Sequence, residues 1–414
     1  MGRVSIGARS QISFTEETTW GVTPSTPAMR LFRITGGSLN PGRSLIESAE
    51  LDPSRQRPSP GQGAPFPGLS FNFELQPKVF GILLKHLLTD TVSVAAGTMV
   101  GTVDLTAGAS VNSKILLVDS DSLGISTITF SGADPINANT IAAQINTGVG
   151  TNVATIVSNM LKLYSASITT PTATGYVKVT GGDARTLLGL AVRTEWNYSV
   201  LIGNPNLPQG MTFEIGQTDI NLYTLFPGSR MNEFSMTLNP NALVTGSLAL
   251  LSREGGEDWV GSSAAGTLIS DFAEKFNTFR GVIEIDGQPD ARVRNITTNF
   301  TNNMQDDYMT LFTSFRNEVP EGRRVIGGSM GIKFDDATFL NSARDFVESS
   351  LALKMETATD QRFIRFFYPS LRLQVPSFDI PEGAIDLPMD YYVHRNEALA
   401  QDVVVWVGSG EAIA

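Results

Sequence analysis

Apolar positions along the chain follow two periods, and most of them fit short strands. Residues 371–375 alternate apolar and polar side chains, as a half-buried strand does. Two longer segments, 78–88 and 337–349, instead place apolar side chains on one face of a helix. These side chains are Val79, Ile82, Leu83 and Leu87 in the first segment, and Leu340, Ala343, Phe346 and Val347 in the second. The pattern predicts a mainly β fold with a few flanking helices.

The strand-rich pattern occurs twice. The segment from Phe32 to Glu74 matches the segment from Val293 to Asp335 at an offset of 261 residues, with arginine, glycine, aromatic and acidic positions in step. Further along, Phe226–Met231 matches Tyr368–Leu373 at an offset of 142. In both copies the order is strand, long polar loop, strand and helix-like segment. Two ordered matches of this kind indicate an internal duplication.

The two offsets differ by 119 residues, because 261 minus 142 is 119. The first copy therefore carries an insertion between Leu88 and Phe213. Its mapped limits predict three domains: a discontinuous first repeated unit (1–93 and 199–262), a small inserted α+β domain (94–198) and a second repeated unit (263–414).

The predicted insertion is rich in Thr, Ser, Ala, Gly, Asn and Val. It reads as several strands and one helix near 138–146, capped by Asn137 or Asn139. Segments Thr140–Asn146 and Leu187–Leu190 resemble the small hook or IN motif of flagellins and many phage tail proteins. That resemblance implies a compact module displayed on a surface, and a decorative role without its own ligand is the favoured interpretation.

Composition narrows the possible functions. The net charge of −11 argues against binding nucleic acid through phosphate neutralisation. There is no cysteine, which excludes disulfides and thiolate chemistry. The first residues lack the apolar core of a secretory signal, and no apolar run is long enough to span a membrane. These features predict synthesis and assembly in a cytoplasm-like compartment.

Candidate chemistry is sparse, so we predict no catalytic, cofactor-binding or metal site. The two histidines, His86 and His394, fall in different halves and share no ligand spacing. Adjacent carboxylates occur, as at Asp306-Asp307 and Asp335-Asp336, but a hydrolase needs two that converge on a cleft. Instead of catalysis, the acidic side chains could act together: if they line a channel, they would repel a phosphate backbone.

The two long polar loops, 41–68 and 301–328, are the main candidate interaction elements. Loops of this length in compact domains are usually functional or disordered, and these two recur at the same place in each copy. Mixed charge suits an arm that reaches a neighbouring molecule, although a mobile surface loop remains the alternative. The candidate arm residues are Glu50, Asp52, Arg55, Arg57, Asp306, Asp307, Arg316 and Glu318.

Several segments outside the insertion resemble tail tube proteins of long, non-contractile-tailed bacteriophages (siphophage major tail proteins). The opening stretch Phe14–Pro24, followed by Phe32–Leu39, carries most of the resemblance, and Phe71–Leu75 and Phe226–Asn232 add to it. The resemblance implies β-sandwich or barrel units with a flanking helix, six of which close into a ring around a channel. Because this chain supplies two units, three copies would complete a ring.

The resemblance also implies partners and location. Rings would stack into a tube in the virion tail, assembled in the host cytoplasm, and the arms would contact the next ring. A tape measure protein would fill the channel first, DNA would later pass without specific binding, and terminator and distal tail proteins would close the ends. Two alternatives stay open: another ring-forming tail component, such as a terminator or distal tail protein, and a carbohydrate-binding tail protein.

Overall fold

The computed structural model describes residues 5–50, 59–89, 91–121, 123–167, 170–203, 206–306, 308–313, 315–378 and 382–413. The described residues form 27 strands and four α-helices, so the predicted mainly β fold is confirmed. No helix among them is both long and apolar enough to cross a membrane.

The first part of the chain contains seven strands and one helix. They are β1 (Ser10–Glu16), β2 (Ala28–Leu31), β3 (Gly36–Asn40), β4 (Arg43–Ile46), β5 (Gly61–Pro65), β6 (Gly68–Glu74), α1 (Pro77–Leu88) and β7 (Val92–Ala95).

The middle of the chain contains seven shorter strands and two helices. They are β8 (Thr98–Val100), β9 (Ile115–Ser120), β10 (Ser126–Thr129), α2 (Ala138–Val149), β11 (Ala154–Val157), β12 (Met160–Tyr164), β13 (Tyr176–Gly181), α3 (Ala184–Leu187) and β14 (Arg193–Trp196).

The remaining elements follow in chain order. They are β15 (Tyr198–Ile202), β16 (Met211–Gln217), β17 (Leu222–Leu238), β18 (Thr245–Leu251), β19 (Thr267–Ile269), β20 (Gly281–Ile285), β21 (Gln288–Pro289), β22 (Val293–Thr301), β23 (Val325–Lys333), α4 (Thr338–Arg344), β24 (Glu348–Glu356), β25 (Phe363–Leu373), β26 (Asp386–Val393) and β27 (Val404–Gly408).

Eight antiparallel strands form one continuous sheet, which we call the long sheet. Its order is β3-β6-β18-β17-β22-β23-β26-β25. The first four strands come from the first copy of the repeat, and the last four come from the second copy in the same order. The copies join where β17 pairs with β22, from Glu233 opposite Thr301 to Leu238 opposite Ile296.

Equivalent hydrogen bonds relate the two halves of the long sheet. Leu75 N–H donates to Val244 O in the first half, and Phe334 N–H donates to Ile385 O in the second. The two donors, Leu75 and Phe334, are 259 residues apart, and the two acceptors, Val244 and Ile385, are 141 residues apart. The sequence match has offsets of 261 and 142 for these two parts of the repeat. A shift of two residues keeps every side chain on its own face. The connection from strand to helix is two residues longer in the second copy, which restores the offset of 261 at the helix starts, Pro77 and Thr338. A bulge after Met231 accounts for the change from 142 to 141.

Helix α1 covers the core face of the long sheet. Its proline lies at the first helical position, where no N–H is needed, and the following apolar residues are buried. Aromatic rings link the layers: Phe73 lies 4.4 Å from Phe80 and 5.6 Å from Phe234, whose ring is 5.9 Å from Phe300 across the junction. One hydrophobic core therefore runs through both copies.

The second predicted helix is shorter than the sequence pattern suggested. Helix α4 ends at Arg344, and Phe346 adopts a left-handed conformation with φ of 57°. The prediction that Phe346 and Val347 pack on the helix face is wrong, since both side chains are exposed, Phe346 by 63%. The left-handed residue turns the chain out of the helix before it can complete a further turn.

Strands β7 and β15 pair with each other, and the residues between them pack separately. Ala95 lies opposite Tyr198, and β15 also pairs with β27. Between Ala95 and Tyr198 lie a four-stranded sheet (β10-β9-β13-β14) and a three-stranded sheet (β11-β12-β8) with their own hydrophobic core. Asn137 caps α2 by accepting a hydrogen bond from Thr140 N–H, which confirms one of the two predicted caps.

We predict that replacing residues 96–197 with Asn-Gly leaves the rest of the protein folded. The short turn would join β7 directly to β15 as a hairpin. The change removes the Arg193–Glu356 ion pair, the Trp196 bond to Asp360 O and the Arg362–Trp196 contact. The expected loss is about 2 kcal/mol of unfolding free energy, measured by urea titration followed by circular dichroism. A variant without a cooperative transition would contradict a separately packed module.

Candidate assembly surface

One face of the long sheet is open and carries mostly small, uncharged side chains. A row across the sheet illustrates this face: Asn72, Ser247, Ser235 and Asn299 lie opposite one another on consecutive strands. The Ser235 and Ser247 hydroxyls are 2.8 Å apart. Side chains of the opposite face, by contrast, are buried against α1 and the core. Because successive side chains of a strand point to opposite faces, the sheet has an apolar face toward the core and a polar, low-charge open face.

Carboxylates on the open face are few, and some are neutralised. Glu74 forms an ion pair with Lys275, and Asp386 forms one with Arg294. Glu233 and Asp390 form no ion pair with any described residue and lie on exposed positions of the face. The face is therefore weakly acidic and lacks a basic patch.

Of the adjacent carboxylates noted in the sequence, Asp335 and Asp336 are ion-paired at the surface, whereas Asp307 lies outside the described residues. Asp335 and Asp336 lie near Arg292, with Asp336 Oδ2 3.0 Å from its Nη1. Hydrogen bonds from the Thr338 hydroxyl and backbone lower the pKa of Asp336. Glu257 is paired with Arg43, and that hydrogen bond lowers the pKa of the Glu257 carboxyl. These groups are solvated or ion-paired, and none is set up as a general acid.

His86 lies buried on α1 beside Glu16 and Lys85. Glu16 Oε1 accepts hydrogen bonds from Lys85 Nζ at 2.9 Å and from His86 Nε2 at 3.0 Å. Burial lowers the pKa of His86, because the charged imidazolium is costly to desolvate. Burial alone would raise the pKa of Glu16, but the bonds from His86 and Lys85 outweigh it and lower that pKa. Within the described ranges, no three His, Cys, Asp or Glu side chains cluster as a metal site would require.

Two segments at the ends of the long sheet, β3 and residues 374–378, have one side unpaired among the described residues, although β25 itself also pairs with β24 and β27. Strand β3 pairs only with β6. The bond from Leu75 N–H to Val244 O shows that odd-numbered residues of β6 face β18, so even-numbered ones face β3. Leu39, opposite Leu69, therefore directs its N–H and C=O away from β6, toward the free edge.

The other edge follows β25. Gln374 N–H donates to Asp390 O at 2.8 Å, and the described residues beyond it, 375–378, belong to no strand. By alternation, Val375 directs its backbone groups away from β26. This segment is the counterpart of residues 234–237, which pair with β22 in the first copy.

The two long loops fold back on themselves in a similar way. In the first arm, β4 pairs with β5, with Ile46 opposite Gly61. In the second, Gln305 N–H donates to Pro320 O and Gly322 N–H donates to Asn302 O. The pair Gln305–Pro320 corresponds to Ile46–Gly61 at the structural offset of 259. We call these elements arm 1 (41–67) and arm 2 (301–324).

Arg316 in arm 2 is buried, with 1% of its surface exposed. Its Nη1 donates to Pro67 O at 3.0 Å and to Ser252 O at 2.7 Å, and its Nε donates to Asp306 O at 2.8 Å. Burial lowers the pKa of Arg316. The prediction that this side chain reaches another ring is wrong, because it is buried inside the chain and its Nη1 binds two carbonyls of the first copy of the repeat.

The other candidate arm residues divide into two groups. Glu50, Asp306 and Glu318 are exposed, as an arm that contacts a neighbour requires. Asp52, Arg55, Arg57 and Asp307 lie outside the described residues. The role of both groups stays a prediction.

Sequence reasoning missed the apolar side chains of the arms. Leu45 and Ile46 on β4 are exposed by 69% and 61%, and Leu311 and Phe312 in arm 2 are almost fully exposed. Large apolar residues at the surface of an arm indicate a partner surface more directly than mixed charge does. Their presence in otherwise polar loops was visible in the sequence.

The opening segment of the chain is held by a buried carboxylate. Glu17 accepts hydrogen bonds from Gly21 N–H, Gly228 N–H and the Thr212 hydroxyl, at 2.6 to 2.8 Å. Gly228 has a φ of 65°, and a Cβ there would lie 2.7 Å from the Arg253 Cβ. The opening stretch and the Pro227-Gly228 turn are thus parts of one structural unit.

Comparison with known proteins agrees with this architecture. A family model described as phage tail tube protein matches residues 7–393. A search of curated protein sequences finds no match.

We predict that Arg316→Met lowers the unfolding free energy by about 3 kcal/mol. Methionine fills a similar volume, but the carbonyls of Pro67, Ser252 and Asp306 lose their hydrogen bonds from the guanidinium. Arg323→Met is the matched control, because Arg323 is exposed in the same arm and its replacement should change stability by less than about 0.5 kcal/mol. Urea unfolding of both variants provides the comparison. Equal stabilities would show that Arg316 does not anchor arm 2.

Proposed function

Since the chain belongs to the phage tail tube protein family, we propose that three copies close into a ring and that rings stack into the wall of the tail tube. Each chain would supply two units, which gives the ring pseudo-six-fold symmetry. The family assignment supports a structural role in the virion tail. Ring size, channel and partners are our own extension of it.

The β17–β22 junction is the observation that carries this proposal. In the order of the sheet, it pairs the final strand of the first unit, β17, with the initial strand of the second unit, β22. The same two elements recur as segment 374–378 and β3, each with one side unpaired among the described residues. Pairing segment 374–378 of one copy with β3 of the next would repeat the junction between chains. Such a head-to-tail interface closes into a ring and covers both sheet edges.

The resulting dimensions suit a DNA channel. Three long sheets would give a barrel of 24 strands. With strands about 4.8 Å apart and tilted by roughly 40°, the circumference is about 150 Å and the backbone diameter about 48 Å. A barrel of this size remains open after side chains line it, with room for a duplex.

The open face of the long sheet is the proposed channel wall. Its serine, threonine and asparagine side chains offer no cationic site for phosphate, and Glu233 and Asp390 add weak repulsion. DNA would therefore pass without specific binding. A tape measure protein would occupy the channel beforehand, and terminator and distal tail proteins would cap the stack. Assembly would take place in the host cytoplasm.

We also propose the domain division 1–93 with 199–262, 94–198, and 263–414. The separate core between β7 and β15 supports an inserted middle domain, and the repeated strand order supports two flanking units, although β19 of the second range pairs with β2 of the first. The inserted domain would lie on the outside of the tube, away from the wall formed by the long sheet. The exposed arm residues Glu50, Asp306 and Glu318 would contact the adjoining ring.

We predict that Leu39→Pro blocks ring formation, whereas Leu39→Ala permits it. Proline removes the N–H that faces the free edge, and both variants lose the leucine side chain. Alanine is therefore a matched control for the lost packing. Electron microscopy and sedimentation of the purified proteins should show rings or tubes only for the wild type and Leu39→Ala. Rings formed equally well by Leu39→Pro would contradict closure through β3.

A further inference from the structure

Arm 2 packs against a defined surface of the first unit. Arg230 Nη1 donates to Val319 O at 3.0 Å, and its guanidinium lies 3.6 Å from the Glu321 carboxylate. Met304 N–H donates to the side chain of Asn232 at 2.9 Å. Arg253 stacks on Phe315 at 4.1 Å. Arm 2 thereby covers the end of α1 and the middle of β17.

Covered residues of this surface are buried. Leu87, Met231 and Ser252 have no exposed surface, and Asn302 of arm 2 donates hydrogen bonds to Leu87 O and Met231 O. The contact combines apolar burial with satisfied backbone carbonyls. It is therefore a specific docking contact between one unit and the arm of the next.

The second unit has the same surface without an arm on it. At the offset of 142 that holds before the bulge, Arg230 corresponds to Arg372 and Met231 to Leu373, and at the offset of 141 that holds after it, Arg253 corresponds to His394. These three residues line one groove together with Phe346, Val375 and Tyr392. Phe346, Val375 and Tyr392 are each more than half exposed. We call this surface the 346–394 groove.

Polar groups in the groove lack the partners that their counterparts have. Arg372 Nη1 donates to Phe346 O at 3.1 Å, within its own unit, where Arg230 instead binds the arm. His394 Nε2 has no hydrogen-bond partner among the described residues. The groove therefore offers exposed apolar surface to an incoming segment, and the His394 Nε2 beside it is buried without a partner among the described residues.

We propose that the 346–394 groove binds arm 1 of a second copy of this chain, with Leu45 of β4 seated near Gln374. This inference rests on the proposed ring and names the contact that flanks its edge pairing. Leu45 corresponds to Met304 at the offset of 259, and Met304 is 7% exposed, whereas Leu45 is 69% exposed. This difference in exposure is expected if the surface that buries Met304 lies within the chain and the surface that buries Leu45 lies on another copy.

Chain continuity supports the same occupant. Arm 2 begins directly after β22, the strand that pairs with β17. Arm 1 begins directly after β3, which has the free edge. When β3 lies against segment 374–378 of a neighbouring copy, β4 follows onto the adjoining groove, as residues 302–305 do within the chain. In this proposal each arm holds two neighbouring units of one ring together. Its exposed residues, Glu50 in arm 1 and Asp306 and Glu318 in arm 2, remain available to contact the next ring.

Cross-linking tests this contact, because the chain has no cysteine. The variant Leu45→Cys/Gln374→Cys is assembled and treated with a short bis-maleimide, then separated by denaturing electrophoresis. We expect covalent dimers and trimers, formed roughly a hundredfold faster than random encounter allows. The matched control, Leu45→Cys/Leu123→Cys, pairs the same arm position with an exposed residue of the inserted segment and should remain monomeric.

The outcomes separate this inference from the proposed function. Tubes visible by electron microscopy without cross-links above the control level would overturn arm docking and leave the ring proposal intact. Absence of rings and tubes in the wild-type protein would overturn the proposed function, and arm docking with it. Cross-linked species that extend to the trimer and stop there would support both.

Discussion

The backbone hydrogen bonds between β17 and β22 are the interaction on which the rest of the molecule depends. A strand edge exposes unpaired N–H and C=O groups, and each unit of the repeat has two such edges. Joining two units in one chain satisfies two of the four edges, through the ladder from Glu233 opposite Thr301 to Leu238 opposite Ile296. The two remaining edges, β3 and segment 374–378, should match each other, since they are the counterparts of β22 and of the end of β17, which pair within the chain. A head-to-tail assembly follows from this constraint.

The core makes that junction rigid. Phe234 and Phe300 approach from the two sides of the ladder, and Phe73 and Phe80 extend the same packing to α1. Burial of these rings leaves little freedom for one unit to rotate against the other. The junction consequently sets the angle between neighbouring units, and the proposed ring requires the contact between chains to repeat an angle that closes after six units.

Much of this architecture could be predicted from the sequence. The repeat, the mainly β fold and an interruption before Phe213 follow from periodicity and matching offsets. The register that relates β6 to β23 could not be predicted in the same way. A shift of two residues leaves the alternation of apolar and polar side chains unchanged, so the longer strand–helix connection of the second copy does not show in the pattern. The end of α4 was also beyond pattern analysis: Phe346 fits the apolar face of a helix, yet its left-handed backbone turns it outward. The burial of Arg316 depends on carbonyls of Pro67 and Ser252, which lie far away in sequence.

The central claim is that three chains, each with two units, form the wall. A cryo-electron microscopy image of an assembled tube, averaged down its axis, tests it most directly. The account predicts three-fold symmetry with six similar lobes per ring, and a continuous barrel of 24 strands. A ring of six chains with twelve lobes, or a wall with gaps between neighbouring long sheets, would contradict it.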